Sequence, residues 1–299
     1  MKRITVLALI MMALSTLTLA VDTGAREIDP VVSTEWLAGN LSKDRLVVVD
    51  IRKLEEYKAG HIPGAINVFY NIWAPGRGDM KNELPLDDDL ADVLVSNGID
   101  TDSLVVIAGI TDSGADKVNT TRVALTLIYA GVPNVAVLDG GYNKWKAENR
   151  AMTTDTVSRE ESEYEGDFNT GILIGKDELL KKIGKAVIVD VREPDFYTGE
   201  KKLEFVARAG HLKGAVNLPT ISKVFREDGT YSDMAELSAL AKKTLGDDTG
   251  REIVVYCDSG RVASAWWYLL REVVGYSDVK LFDGSAEDWA KDESFPMEK

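Results

Sequence analysis

Cysteine is almost absent from this chain: there is one, Cys257, in 299 residues. A lone thiol is paired with another molecule, buried and inert, or reactive, so Cys257 must be placed before it can be interpreted. Histidine is nearly as scarce, with only His61 and His211. No metal-ligand cluster and no nucleotide-binding glycine loop is evident, so neither a metal nor a cofactor is expected. Proline (8) and glycine (25) are too few for a fibrous or disordered chain, and 45% apolar residues suffice for a packed core. Positive charge is also short, with 35 Lys and Arg against 49 Asp and Glu, a formal net charge of −14. Such a surface repels phosphate backbones and acidic lipid, which argues against nucleic-acid and membrane partners. An anionic substrate would need a local positive site inside a negative field.

Long apolar runs are missing too, except at the start. Met1–Ala20 carries Lys2 and Arg3, an apolar stretch from Ile4 to Leu14 and a small residue at its end, the layout of a cleaved secretory signal. A retained spanning helix is the alternative, but the stretch is marginal in length and interrupted by Ser15, Thr16 and Thr18. The expectation is an exported protein, periplasmic or secreted, whose charge becomes −14 − 2 = −16 once Lys2 and Arg3 leave with the signal.

What is present in abundance is internal repetition. Val47–Arg52 (VVVDIR) and Gly60–Asn67 (GHIPGAIN) recur as Val187–Arg192 (VIVDVR) and Gly210–Asn217 (GHLKGAVN). Leu104–Ile107 then matches Ile253–Tyr256, Val137–Gly140 matches Leu281–Gly284, and Trp145 and Trp289 follow at equal distance. The offsets are 140 residues at the Asp-x-Arg, 150 at the Gly-His and 144 at the Asp-Gly and the Trp, and one unequal insertion is the charged stretch Gly199–Arg208. The continuous β-branched runs suit strands buried on both faces. Helical patterns lie between them, at Thr121–Ala130 and Ala263–Val274. Each copy is therefore expected to be an α/β domain, a mainly parallel sheet with helices on both faces. The expected organisation is a signal at 1–20, a first domain at 27–151, a polar linker at 152–169 and a second domain at 170–299.

Asp-x-Arg after a strand, then Gly-His-[Ile/Leu]-x-Gly-Ala-x-Asn, then Asp-Gly-[Gly/Ser] and Trp, resembles the rhodanese domain over residues 27–295. The resemblance implies a tandem rhodanese with a silent first domain and an active second one. It also places the family's nucleophile at Cys257, which opens the loop Cys257-Asp258-Ser259-Gly260-Arg261-Val262 between a strand and a helix. The matching first-domain position is Ala108 or Gly109, and neither can attack sulfur.

These residue types suit sulfur transfer. A helix start, inward-facing N–H groups around Ser259 and Gly260, and the charge of Arg261 would favour a thiolate. Gly260 would permit the tight curl. The thiolate would take the outer sulfur of a small anionic donor such as thiosulfate, and a thiophilic acceptor such as cyanide, a thiol or an acceptor protein would remove it. Arg192, just past its strand, contacts the donor if the resemblance holds; the alternative is an ion pair with Asp190, Glu193 or Asp195. Arg208 is a second candidate. Asp258, Ser259, Gly260 and Val262 complete the expected substrate-binding loop. The two histidines are expected to share a structural role, with His61 alternatively facing the cleft. Trp266, Trp267 and Tyr268 should be core, and Trp73 and Arg77 could reach the cleft from the first domain.

The loop departs from both common subgroups. Asp258 stands where thiosulfate-preferring members carry a basic residue, and Arg261-Val262 replaces the Val-Thr of mercaptopyruvate-preferring members. Rhodanese-fold phosphatases need an arginine six residues after the cysteine, and here that position is Ala263. Besides the thiosulfate reading, 3-mercaptopyruvate sulfurtransfer and a non-turnover sulfur carrier that docks a partner stay open.

Overall fold

The computed structural model describes residues 26–299; the expected signal Met1–Ala20 lies outside them. Among the described residues no helix is long and apolar enough to cross a membrane. The first domain holds β1 (Val31–Val32), β2 (Leu46–Asp50), β3 (Ile66–Asn67), β4 (Leu104–Ala108) and β5 (Val135–Leu138). They form one parallel sheet in the order β1-β5-β4-β2-β3. The second domain holds β6 (Val187–Asp190), β7 (His211–Leu212), β8 (Val216–Asn217), β9 (Ile253–Tyr256), β10 (Val279–Leu281) and β11 (Met297–Glu298). Its parallel sheet runs β10-β9-β6-β8, and β7 pairs antiparallel with β11. Every residue of β2, β4, β5 and β9 is buried, the condition under which a strand is apolar throughout rather than alternating.

Two helices settle how the domains meet. Asn119–Tyr129 is buried along all eleven residues, and so are all seven of Ala263–Leu269, which continues into a π-helical turn at Leu270–Val274. A helix buried on every side must be covered on every side; here each lies between its own sheet and the other domain. One apolar cluster accordingly contains Val105, Val123 and Leu127 together with Val255, Trp266 and Trp267, while separate clusters cover the outer face of each sheet. Polar atoms in this shared layer are bonded across it: Thr121 Oγ1 lies 3.1 Å from Ser264 Oγ, and the Tyr268 hydroxyl meets the Pro30 and Val135 carbonyls.

Residues 154–169 carry no helix or strand. The segment runs along the first domain, where the Tyr164 hydroxyl donates to the Ala130 carbonyl at 2.6 Å and Ser162 N–H to Val95 at 3.1 Å. The inserted stretch 199–208 is likewise irregular and ends at Arg208.

Candidate functional site

Cys257 follows the last residue of β9, at the carboxyl end of a parallel sheet, where the strand ends and the loop to Ala263–Leu269 begins. The N–H groups of Ser259, Val262 and Ala263 face its sulfur. Gly260 N–H is aimed elsewhere than expected: with Cys257 N–H it donates to Ser285 Oγ, at 2.9 and 3.1 Å, and that hydroxyl donates to the Phe282 carbonyl at 2.9 Å. Gly260 makes the curl at φ +72°, and a Cβ there would fall 2.2 Å from Asp283 Oδ1. Only glycine fits both the torsion and the space.

The ionisation of this thiol departs from the sequence expectation. Burial pushes the Cys257 thiol up from its ordinary value and the Asp258 carboxylate adds to the rise; the three amides pull it down without prevailing. The residue is 1% exposed. A sulfur cut off from water keeps its proton, so the amide ring is poised for an anion that forms only when the proton is removed.

Arg192 stands in an ion pair, the second of the two placements open to it. Its Nε and Nη2 reach Asp190 at 3.0 and 2.6 Å, Nη2 donates also to the Gly210 carbonyl, and Nη1 lies 3.2 Å from Asp258 Oδ1. The first domain repeats the arrangement, with Arg52 on Asp50 and the Gly60 carbonyl. A bond made alike in a domain without a nucleophile is a framework bond. Asp258, held by Arg192, has its carboxyl lifted by burial against the pull of that guanidinium. Arg261 turns to the first domain rather than resting on its own loop: Nε donates to Asn119 Oδ1 at 2.8 Å, Nη2 to the Ala115 carbonyl at 2.9 Å, and the guanidinium lies 5.0 Å from the Tyr70 ring. Arg208 binds the carbonyls of Trp289, Ala290, Asp292 and Phe295, tying down the C-terminal segment.

His61 and His211 do the same work twice. Each ring stacks on a tyrosine at 3.7 and 3.8 Å (Tyr57, Tyr197), and each Nδ1 meets that tyrosine's carbonyl. His61 is fully buried, with Nε2 on the Asp155 carbonyl. Trp266, Trp267 and Tyr268 are core, and so is Trp73. Arg77 lies on a wide cleft of about 850 Å³ between the domains, 3.7 Å from Glu83.

Residues that sequence reasoning missed come mostly from the first domain. Asn82 Nδ2 donates to Ser259 Oγ at 2.9 Å. Arg122, fully buried, pairs with Asp283, whose Oδ2 also accepts Leu84 N–H at 3.3 Å. Tyr70, Asn82 and Asn119 line a second cleft of about 350 Å³ into which Arg261 reaches, together with Arg52 and Lys53. Ser285 was within reach of the sequence, since it follows the repeated Asp-Gly; the others were not.

Register identifies the first-domain counterpart of the cysteine. Asp50 pairs with Ala108 as Asp190 pairs with Tyr256, and Gly109 accepts from Tyr142 N–H as Cys257 accepts from Ala286 N–H. The counterpart is Gly109.

A family model described as a Rhodanese-like domain matches residues 33–148 and 176–292. The "Sulfur carrier protein TtuD" of Thermus thermophilus is 32% identical over 285 residues, spanning 90% of this chain and 96% of that protein. The "Putative thiosulfate sulfurtransferase" of Saccharopolyspora erythraea is 31% identical over 277 residues, spanning 89% and 95%. Among solved structures, the anaerobic ergothioneine biosynthesis enzyme from Chlorobium limicola superposes with a TM-score of 0.77 at 23% identity, over 90% of this chain and 70% of that one, a likeness of fold.

Proposed function

The chain belongs to the rhodanese family through both of its domains, and from that premise we propose that Cys257 carries sulfane sulfur as a persulfide, taken from thiosulfate or a similar small anion and passed to a thiophilic acceptor. The observation that carries the reading is the convergence of three backbone N–H groups on the sulfur of the chain's sole cysteine. Such a ring of donors suits an anionic sulfur and has no use around an inert apolar side chain.

In the first half-reaction the Cys257 thiolate attacks the outer sulfur of thiosulfate. The new S–S bond forms as the old one breaks, and sulfite leaves with its electron pair, giving Cys257-S-S⁻. In the second, cyanide or a thiolate attacks the terminal sulfur and the Cys257 thiolate is regenerated. The thiol must first lose its proton to solvent, and the raised affinity for that proton makes the first step faster at higher pH. Arg261 Nη1 and Lys53 are the cations of the adjoining cleft offered to the donor, since the guanidinium of Arg192 is engaged by Asp190, Gly210 and Asp258. The protein works in an exported compartment on this reading.

A carrier that hands its sulfur to a docked protein is the second reading, favoured by the closed position of the sulfur and by the carrier name of one relative. Thiosulfate and cyanide given to the purified chain, with thiocyanate measured, separate the two. Sustained thiocyanate formation that Cys257→Ser abolishes supports the enzyme. Gain of one sulfur atom on Cys257 by mass spectrometry without turnover supports the carrier, and absence of both defeats the persulfide.

A further inference from the structure

The first domain has no cysteine, yet it sends several side chains to the loop that carries Cys257, and two of them, Arg122 and Asn82, are linked. Arg122, on the helix Asn119–Tyr129, is fully buried. Nη1 donates to Asp283 Oδ1, and Nη2 to Asp283 Oδ2 at 3.0 Å and to the carbonyl of Asn82. The side chain of Asn82 in turn donates to Ser259 Oγ at 2.9 Å. Asp283 lies directly behind Gly260, where a Cβ would meet Asp283 Oδ1 at 2.2 Å and Arg122 Nη1 at 3.2 Å. A path of bonds and contacts from Ser259 through Asn82, Arg122 and Asp283 to Gly260 thus closes on the loop from behind.

The repeat exposes what is special about this path. Asp139 and Asp283 are equivalent, and each accepts a backbone N–H of the other domain, from Tyr231 at 2.8 Å and from Leu84 at 3.3 Å. That exchange is reciprocal and serves the interface. The counterpart of Arg122, at the same place on the second-domain helix, is Trp266, which donates to the Pro219 carbonyl and carries no charge. The buried cation is supplied on one side only, the side that has the cysteine.

We propose that Arg122 is a positioning residue for Cys257: it holds Asp283 and the loop so that the amides stay on the sulfur, and it balances a carboxylate that would otherwise oppose an anion there. This rests on reading Cys257 as the sulfur-carrying atom. The charged and titratable groups facing the loop are Asp258, Asp190 and Arg192 on the sheet side, Asp283 and Glu287 after β10, and Arg122 and Tyr70 from the first domain, with Arg261 on the loop itself.

The test uses the whole chain with Arg122→Gln, Arg122→Lys and the double variant Arg122→Gln/Asp283→Asn. Three quantities are read: the pH midpoint of Cys257 alkylation by iodoacetamide, the thermal midpoint, and thiocyanate turnover. Arg122→Gln leaves Asp283 uncompensated and moves the alkylation midpoint to higher pH, with about tenfold less thiolate near neutrality; Arg122→Lys moves it back. In the double variant both charges are gone, so the midpoint returns toward the parent's while turnover stays roughly tenfold low, because the loop is no longer held. A structural role alone lowers the thermal midpoint and leaves the alkylation midpoint in place. A folded Arg122→Gln with the parent's alkylation midpoint overturns the proposal. Should that variant not fold, parental turnover in the double variant does so. Alkylation reads the thiol and not sulfur transfer, so a parent chain that neither loads nor turns over sulfur sinks the proposed function separately.

Discussion

The loops that follow β4 and β9 start from the same strand register and end at equivalent helices, yet one surrounds a sulfur and the other does not. After β9 the chain needs only Cys257–Val262 to reach its helix; after β4 it takes Gly109–Val118, with a short helical turn at Gly114–Lys117. Gly109 replaces the nucleophile. At the position after the repeated Asp-Gly, the backbone is left-handed in both domains, at φ +58° for Gly141 and +51° for Ser285. Ser285 uses its hydroxyl to staple two loop amides, whereas any Cβ on Gly141 would stand 2.3 Å from the Gly109 carbonyl. One residue on, Tyr142 lays its ring 3.3 Å from the Arg52 guanidinium, where Ala286 leaves the matching space beside Arg192 for Asp258. The two loops therefore differ in several coordinated ways, of which the absent thiol is one.

The largest expected effect tests that directly. Cys257→Ser removes all turnover and sulfur loading, and Gly109→Cys in the same chain restores neither, because the first-domain loop is the longer Gly109–Val118 and has Gly141 where Ser285 staples the other loop; thiocyanate formation measures both. Restored turnover would mean that the nucleophile alone separates the domains. Gly260→Ala comes next: a left-handed torsion and a contact of 2.2 Å with Asp283 Oδ1 should cost about 3 kcal/mol in chemical denaturation and disable the loop. An unchanged midpoint of unfolding would contradict the tight curl. Ser285→Gly copies the first domain. It relieves the torsion but leaves two buried N–H groups without an acceptor, for a net loss of about 2 kcal/mol and a lower kcat with folding retained.

Smallest is Asp258→Asn. The thiol is held up by burial and then by this carboxylate, so removing the charge lets the proton leave at lower pH, and alkylation of Cys257 near neutrality speeds up. The sign carries over to stability. A group whose affinity for its proton is raised on folding stabilises the fold below its unfolded pKa and loses that contribution as pH rises through the folded one. The parent should thus lose stability at alkaline pH more than Asp258→Asn does, which denaturation at a series of pH values would check.

Much of the framework was legible because it is local. Val47–Val49 and Ile253–Val255 announce buried strands by composition, and the repeated Asp-x-Arg and Gly-His mark the same framework bonds in both halves. The position of Cys257 at a strand end followed from its neighbours alone. Arg192 could be located but not interpreted, since an arginine beside Asp190 can serve an ion pair or a ligand with the same spelling. The direction of the thiol's ionisation was misread because local chemistry counted the amides and Arg261 but could not count burial. Arg122 and Asn82 carried no signal, being 161 and 177 residues from the partners they hold.

By itself the sequence determined the two-domain α/β plan, the strand that ends at the cysteine and the glycine that turns the loop, because each depends on residues a few positions apart. The tertiary structure decided how far water reaches the sulfur, which cations stay free, and that Asn82 and Arg122 of the first domain meet the loop of the second. Those depend on the summed field and exclusion of groups that meet only when the two buried helices pack together.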